Sequence, residues 1–151
     1  MYQTETETLD HLLAHVCRLH HSRARELLHA LGLYRGQPPV LHALWEQEGL
    51  THSDLAAQMR VSPATITKMI QRMEKAGFVE RRDDPEDQRV SRVYLADAGR
   101  AIQAEVHRVL HELEGETLAG LTSEERDGLR RVLLRIRENL VRATGEEPFL
   151  G

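Results

Sequence analysis

At 151 residues the chain is long enough for one domain with a real core, or for a lobe carrying a dimerisation arm. A net charge of −4 argues against a nonspecific nucleic-acid coater, which would be strongly basic, and no apolar run approaches the roughly 20 residues of a membrane span. A single cysteine excludes an internal disulfide, and Met1-Tyr2-Gln3-Thr4-Glu5 lacks a basic-then-apolar signal, so a cytoplasmic chain with a reduced thiol is expected.

From about Thr6 to Leu31, Leu9, Leu12, Leu13, Val16, Leu19, Leu27, Leu28 and Leu31 recur at helical spacing, and Gly32 stops the pattern. A connector follows, whose Pro38 and Pro39 open the next helix; Val40, Leu41, Leu44 and Trp45 are its core stripe before Gly49. Thr51 starts another helix, with Asp54 three residues on completing a capping-box-like pair and Leu55, Ala56 and Met59 as a short apolar face. Arg60 and Val61 make the turn. Ser62-Pro63 then restarts the helix, a serine N-cap followed by proline at the position where a missing N–H costs nothing.

Between Ser62 and Ala76, Ile66, Met69, Ile70 and Met73 lie at i, i+3, i+4 and i+7, which predicts one buried stripe. Gly77 ends the helix. Two strands are predicted next, Phe78 to Arg82 and Arg89 to Leu95, joined by the turn-forming Asp83-Asp84-Pro85-Glu86-Asp87. Two helices close the chain. One runs from Asp97 to Gly115 with Ile102, Val106, Val109, Leu110 and Leu113 apolar; the other starts at Thr122, boxed with Glu125, and carries Leu129, Val132, Leu133, Ile136 and Leu140 to about Val141. The tail from Thr144 to Gly151 is expected to be loose, with Phe149 and Leu150 available to a partner.

Two short helices around a tight turn, followed by a hairpin with a charged tip, make a winged helix-turn-helix. The polar face of the second helix offers what a major groove asks for: hydroxyls and a helix N-terminus for phosphates, and amide and cationic side chains for base edges. Ser62, Pro63, Thr65, Thr67, Lys68, Gln71 and Arg72 are the DNA-contact candidates, and a merely solvated face is the competing reading. From Gln58 to Arg92 eight Lys and Arg stand against six Asp and Glu, a local +2 in a chain of −4. An acidic body with a basic reading surface suits a site-specific binder of double-stranded DNA.

The run from Leu50 to Gly99 resembles the MarR family of bacterial winged-helix transcription regulators. Its segment DPEDQRVSRVYLADAG is similar to the family's wing signature, an Asp-x-Arg followed by a strand, Leu-Thr and a glycine. The resemblance implies that Arg89 enters the minor groove while Asp87 orients it through a neighbouring basic side chain, Arg81 or Arg82. Ala96 stands where the family has threonine, and Asp97 is expected to take over as N-cap of the next helix. On this reading residues 1–151 are a single MarR-like domain, mainly α with a small β-wing: a winged helix-turn-helix lobe at 37–96 and a helical dimerisation region at 6–33 and 98–142.

The terminal helices carry more apolar surface than a small winged lobe can cover, so a twofold homodimer reading an inverted repeat is expected, with a monomeric helical bundle as the alternative. The resemblance further implies a repressor as the commoner case. It also implies a small aromatic or anionic effector in a cleft between the dimer helices and the DNA-binding lobe, where His15, Tyr34, Arg35, His42 and Trp45 are the candidates by position. No cofactor is implied. The sequence assigns no metal; a zinc reading would use His107 with His111, or His11 with His15, each pair at i, i+4, with His42 and Cys17 as further ligands. A redox reading would use Cys17 beside Arg18, His20 and His21. An enzyme finds no phosphate loop, nucleophile elbow or HExxH in this chain, and a protein-interaction module leaves the Ser-Pro start and the wing signature unexplained.

Overall fold

The computed structural model describes residues 7–34 and 36–145. In chain order these form helix α1 (Leu9–His29), α2 (Gln37–Glu46), strand β1 (Leu50–Thr51), α3 (His52–Met59), α4 (Pro63–Lys75), β2 (Val79–Asp83), β3 (Ser91–Leu95), α5 (Asp97–Thr117) and α6 (Ser123–Thr144). Two compact units divide at Leu113 and Glu114.

In the first unit the core gathers Leu33, Leu41 and Leu44 with Leu55 of α3, Ile66, Ile70 and Met73 of α4, and Val93 of β3, all fully buried. The α4 stripe is therefore where its spacing predicted, with Met69 packed at the margin. Trp45, expected in the core, is half-buried at its edge. Its indole N–H explains why: it donates to the Gly99 carbonyl at 2.8 Å, which draws the ring toward α5.

The sheet is antiparallel with three strands in the order β1-β3-β2, where the sequence predicted two. Leu50 and Thr51 pair with Val93 and Arg92, and Val79 to Asp83 pair with Leu95 to Ser91. Two residues are too short to show a strand's alternation, and Thr51 reads as a helix cap. It serves as both. The predicted second strand also shortens, since Arg89 and Val90 lie in the turn and pairing begins at Ser91.

Local capping set the other boundaries. Thr8, not the region of Thr6, caps α1, its hydroxyl accepting the His11 N–H at 3.2 Å; Thr6 itself lies outside the described residues, as do Phe149 and Leu150. Gly32 (φ +81°) ends the α1 region by letting the Leu33 N–H reach back to the Leu28 carbonyl at 3.1 Å. Asp97, expected as an N-cap, is instead the first residue of α5, because the Arg100 N–H already bonds the Ala96 carbonyl at 3.1 Å. Its carboxylate meets Arg100 at 3.4 Å.

The α1 helix has no buried residue, and Leu9, Leu12, Leu13, Val16 and Leu19 are exposed. In the second unit α6 starts at a complete capping box, Thr122 with Glu125, and leaves Val132, Leu133, Leu134 and Leu140 exposed.

Candidate nucleic-acid interface

Helices α3 and α4 are set by reciprocal caps and one left-handed residue. The Thr51 N–H donates to the Asp54 carboxylate at 3.0 Å while the Thr51 hydroxyl accepts the Asp54 N–H at 3.1 Å, and the same bonds hold the Asp54 carboxyl below the usual range. Arg60 stops α3 at φ 55°, unusual for a side chain with a Cβ, and reverses the chain within two residues. Ser62 then accepts the Thr65 N–H at 3.1 Å, and Pro63 occupies the first helical position.

With Ile66, Ile70 and Met73 turned inward, α4 exposes Ser62, Pro63, Thr65, Lys68, Gln71 and Arg72 together. Thr67 is placed apart from them. It is half-buried, and its hydroxyl lies 3.4 Å from His52 Nδ1 beneath the helix. His52 Nε2 is buried with no hydrogen-bond partner among the described residues, and burial, followed by the nearby Arg81, pushes this imidazole below its ordinary pKa.

Beside α4, a groove of about 810 Å³ separates the helix from the α1–α2 connector. Its walls are Tyr34, Gly36 and Gln37 on one side and Thr65, Lys68, Met69 and Arg72 on the other. Of the effector candidates among the described residues, only Tyr34 lines it. Arg35 lies outside the described residues, and His15 is exposed on α1. His42 and Trp45 form a separate edge-to-face contact at 6.5 Å, which His107 joins from α5 at 6.0 Å from Trp45. Among the described residues no group of three or more His, Cys, Asp or Glu stands together as a metal would need, so His107 and His111 gain no third ligand.

The wing tip presents Arg89 outward, 92% exposed, with its Nε donating to the Asp87 carboxylate at 3.2 Å. Asp87 thus touches Arg89 directly, while Arg81 and Arg82 are paired elsewhere. Arg81 forks onto Glu74 of α4 with two bonds of 3.1 Å, tying β2 to the C-terminal end of that helix and holding the Glu74 carboxyl below its usual range. Arg82 pairs with Glu80 and lies 4.4 Å over the Tyr94 ring.

The site is thus an exposed polar helix behind a Ser-Pro cap, beside a hairpin with an outward arginine. The model of the MarR family matches residues 33–91, spanning α2 to the start of β3. The HTH-type transcriptional regulator YwoH of Bacillus subtilis is 30% identical over 119 residues, covering 79% of this chain and 86% of YwoH. The chain belongs to the MarR family. TtmR, an HTH-type transcriptional regulator of Methylorubrum extorquens, is 33% identical over 101 residues, 67% of this chain, which spans about half (51%) of TtmR. Wild-type MarR from E. coli in its apo form superposes with a TM-score of 0.73 at 27% identity, over 87% of this chain and 98% of that one.

MarR-family proteins are transcription regulators, not enzymes. In this member three features of the site escaped the sequence reading: the support under Thr67 from His52, the seat of Met69 against Gly36, and the bonds of Arg92 and Asp84 at the base of the wing. Each joins residues distant in sequence. The one local trace was Gly36, whose φ of +83° only glycine adopts cheaply.

Proposed function

We propose that this MarR-family chain is a cytoplasmic, DNA-binding transcription repressor that acts as a homodimer on an inverted-repeat operator and yields to a small aromatic or anionic effector. The observation that carries the reading is the exposed face of α4, where Thr65, Lys68, Gln71 and Arg72 leave the helix together above a buried apolar stripe. Those four side chains take base edges and phosphates in the major groove, Ser62 and Pro63 set the helix N-terminus against the backbone, and Arg89 reaches the minor groove. Thr67 supports the helix from below. The exposed leucines and valines of α1 and α6 are what a second copy would cover. Among the described residues no helix is long and apolar enough to cross a membrane.

The groove between Tyr34 and α4 supports the effector reading. A ring held against Tyr34 and Met69 with its anion toward Lys68 and Arg72 would withdraw two of the DNA-facing cations. Fluorescence anisotropy against the DNA upstream of the chain's own gene, with scrambled duplex as competitor, tests the whole reading. Gln71→Ala is expected to cost about 1–3 kcal/mol on the specific duplex alone, and Lys68→Ala to weaken both duplexes and flatten the salt dependence. Aromatic acids should release the specific duplex. Equal affinity for specific and scrambled DNA in every variant would favour a protein-interaction module instead.

A further inference from the structure

We propose that Arg92 and Asp84 brace the wing so that Arg89 is presented in one direction, which makes both positioning residues for the wing's contact with DNA; the inference rests on the reading of Arg89 given above. Arg92 stands in the middle strand, opposite Thr51 of β1 and Arg82 of β2. Its guanidinium forks. Nε donates to Asp84 Oδ2 at 2.8 Å and Nη1 to the Gly49 carbonyl at 2.8 Å, so one side chain joins the wing turn to the loop that enters β1.

Asp84 is only 14% exposed although it stands in the wing. Besides Arg92, its carboxylate accepts the Glu86 N–H at 2.8 Å, and its own N–H donates to the Val90 carbonyl at 2.8 Å. Val90 in turn donates to the Asp87 carbonyl at 2.9 Å, and the Asp87 carboxylate accepts both the Arg89 N–H and its Nε. Arg92 thus fixes Asp84, Asp84 fixes Val90 and Glu86, and Asp87 sets where Arg89 points. Surface ion pairs add little to stability, whereas holding a contact ready avoids the cost of ordering it on binding. Only a planar fork makes both of the Arg92 bonds; a lysine carries the charge but not that geometry.

The test measures anisotropy on the tightest duplex that the parent protein selects from a random pool, together with amide hydrogen exchange of the free protein. Arg89→Ala should weaken binding about ten-fold or more. Arg92→Ala and Asp84→Asn should each lose most of that. Asp84→Asn combined with Arg89→Ala should be within about two-fold of Arg89→Ala alone, because both changes remove one contact. Arg92→Lys should do no better than Arg92→Ala, and the Glu86 and Val90 amides should exchange faster in the Arg92 and Asp84 variants while the Ile70 amide stays protected. Additive losses, recovery with Arg92→Lys or unaltered wing exchange would each overturn the brace. If wing exchange rises but Arg89→Ala binds as the parent does, the role of Arg89 on DNA fails and the positioning role falls with it.

Discussion

At Gly99 the space for a side chain is taken by backbone. A Cβ there would collide with the Phe78 carbonyl oxygen, which also accepts the Ala96 N–H at 2.9 Å, while the Gly99 carbonyl receives the Trp45 indole. Gly99→Ala is expected to cost about 1–3 kcal/mol by forcing α5 away from the entry to β2, read as a fall in the urea midpoint. An unchanged midpoint would mean that the junction has room. The glycine was visible in the sequence as part of the wing signature, but its reason was not, since Phe78 lies 21 residues earlier. His52 makes a second prediction at this scale. The folded state lowers its pKa from an ordinary value near 6.5, so the unfolded chain takes the proton first as pH falls. The stability contributed by the neutral ring is complete above that ordinary value and is lost as pH drops through the lowered one. Denaturation at pH 7.5 and 5.5 should show a larger acid loss in the parent than in His52→Gln; parallel losses would remove His52 from the account.

The elements were most legible where their signals are local. Thr51 with Asp54, Ser62 with Pro63, and Thr122 with Glu125 each lie within one turn, and all three start helices where their chemistry says they should. Ser62→Ala is accordingly expected to destabilise by about 0.5–2 kcal/mol, and Ser62→Asp to restore most of it, in urea unfolding of the purified protein. Failure of aspartate to recover stability would point to the Ser62–Thr65 hydroxyl contact of 2.9 Å in place of the cap. What the sequence hid were pairings made across distance. β1 exists because β3 lies beside it, and Arg89 leaves the predicted strand because Asp87 bends the chain back to Val90. The exposed set on α4 was readable from its 3.6-residue period, which also sets Thr67 beside the buried Ile66 and Ile70, whereas the contact of Thr67 with His52, fifteen residues away, was not readable.

Over the whole molecule the apolar balance is the strongest signal. Leu9 is 86% exposed on α1, and Leu133 and Leu140 are exposed on α6 in the single chain, more apolar surface than a lone domain ordinarily leaves uncovered. Leu12→Glu combined with Leu19→Glu is expected to shift sedimentation from dimer to monomer at micromolar concentration and to weaken DNA binding with it. A parent that sediments as a monomer would favour the lone helical bundle. Charge was legible at this scale too, since the locally basic stretch from Gln58 to Arg92 covers α4 and the wing while the remainder is acidic. The groove beside α4 was not legible, because it is made by Tyr34 meeting Lys68, Met69 and Arg72 from separate elements. Whether two copies of α4 read DNA together is decided by selection of bound duplexes from a random pool by the purified protein. The expected product is an inverted repeat whose half-sites lie about one helical turn, roughly 10 bp, apart, with the preference at one base pair per half-site lost in Gln71→Ala. Enrichment of no sequence, or of a single unrepeated site unaffected by Gln71→Ala, would contradict it.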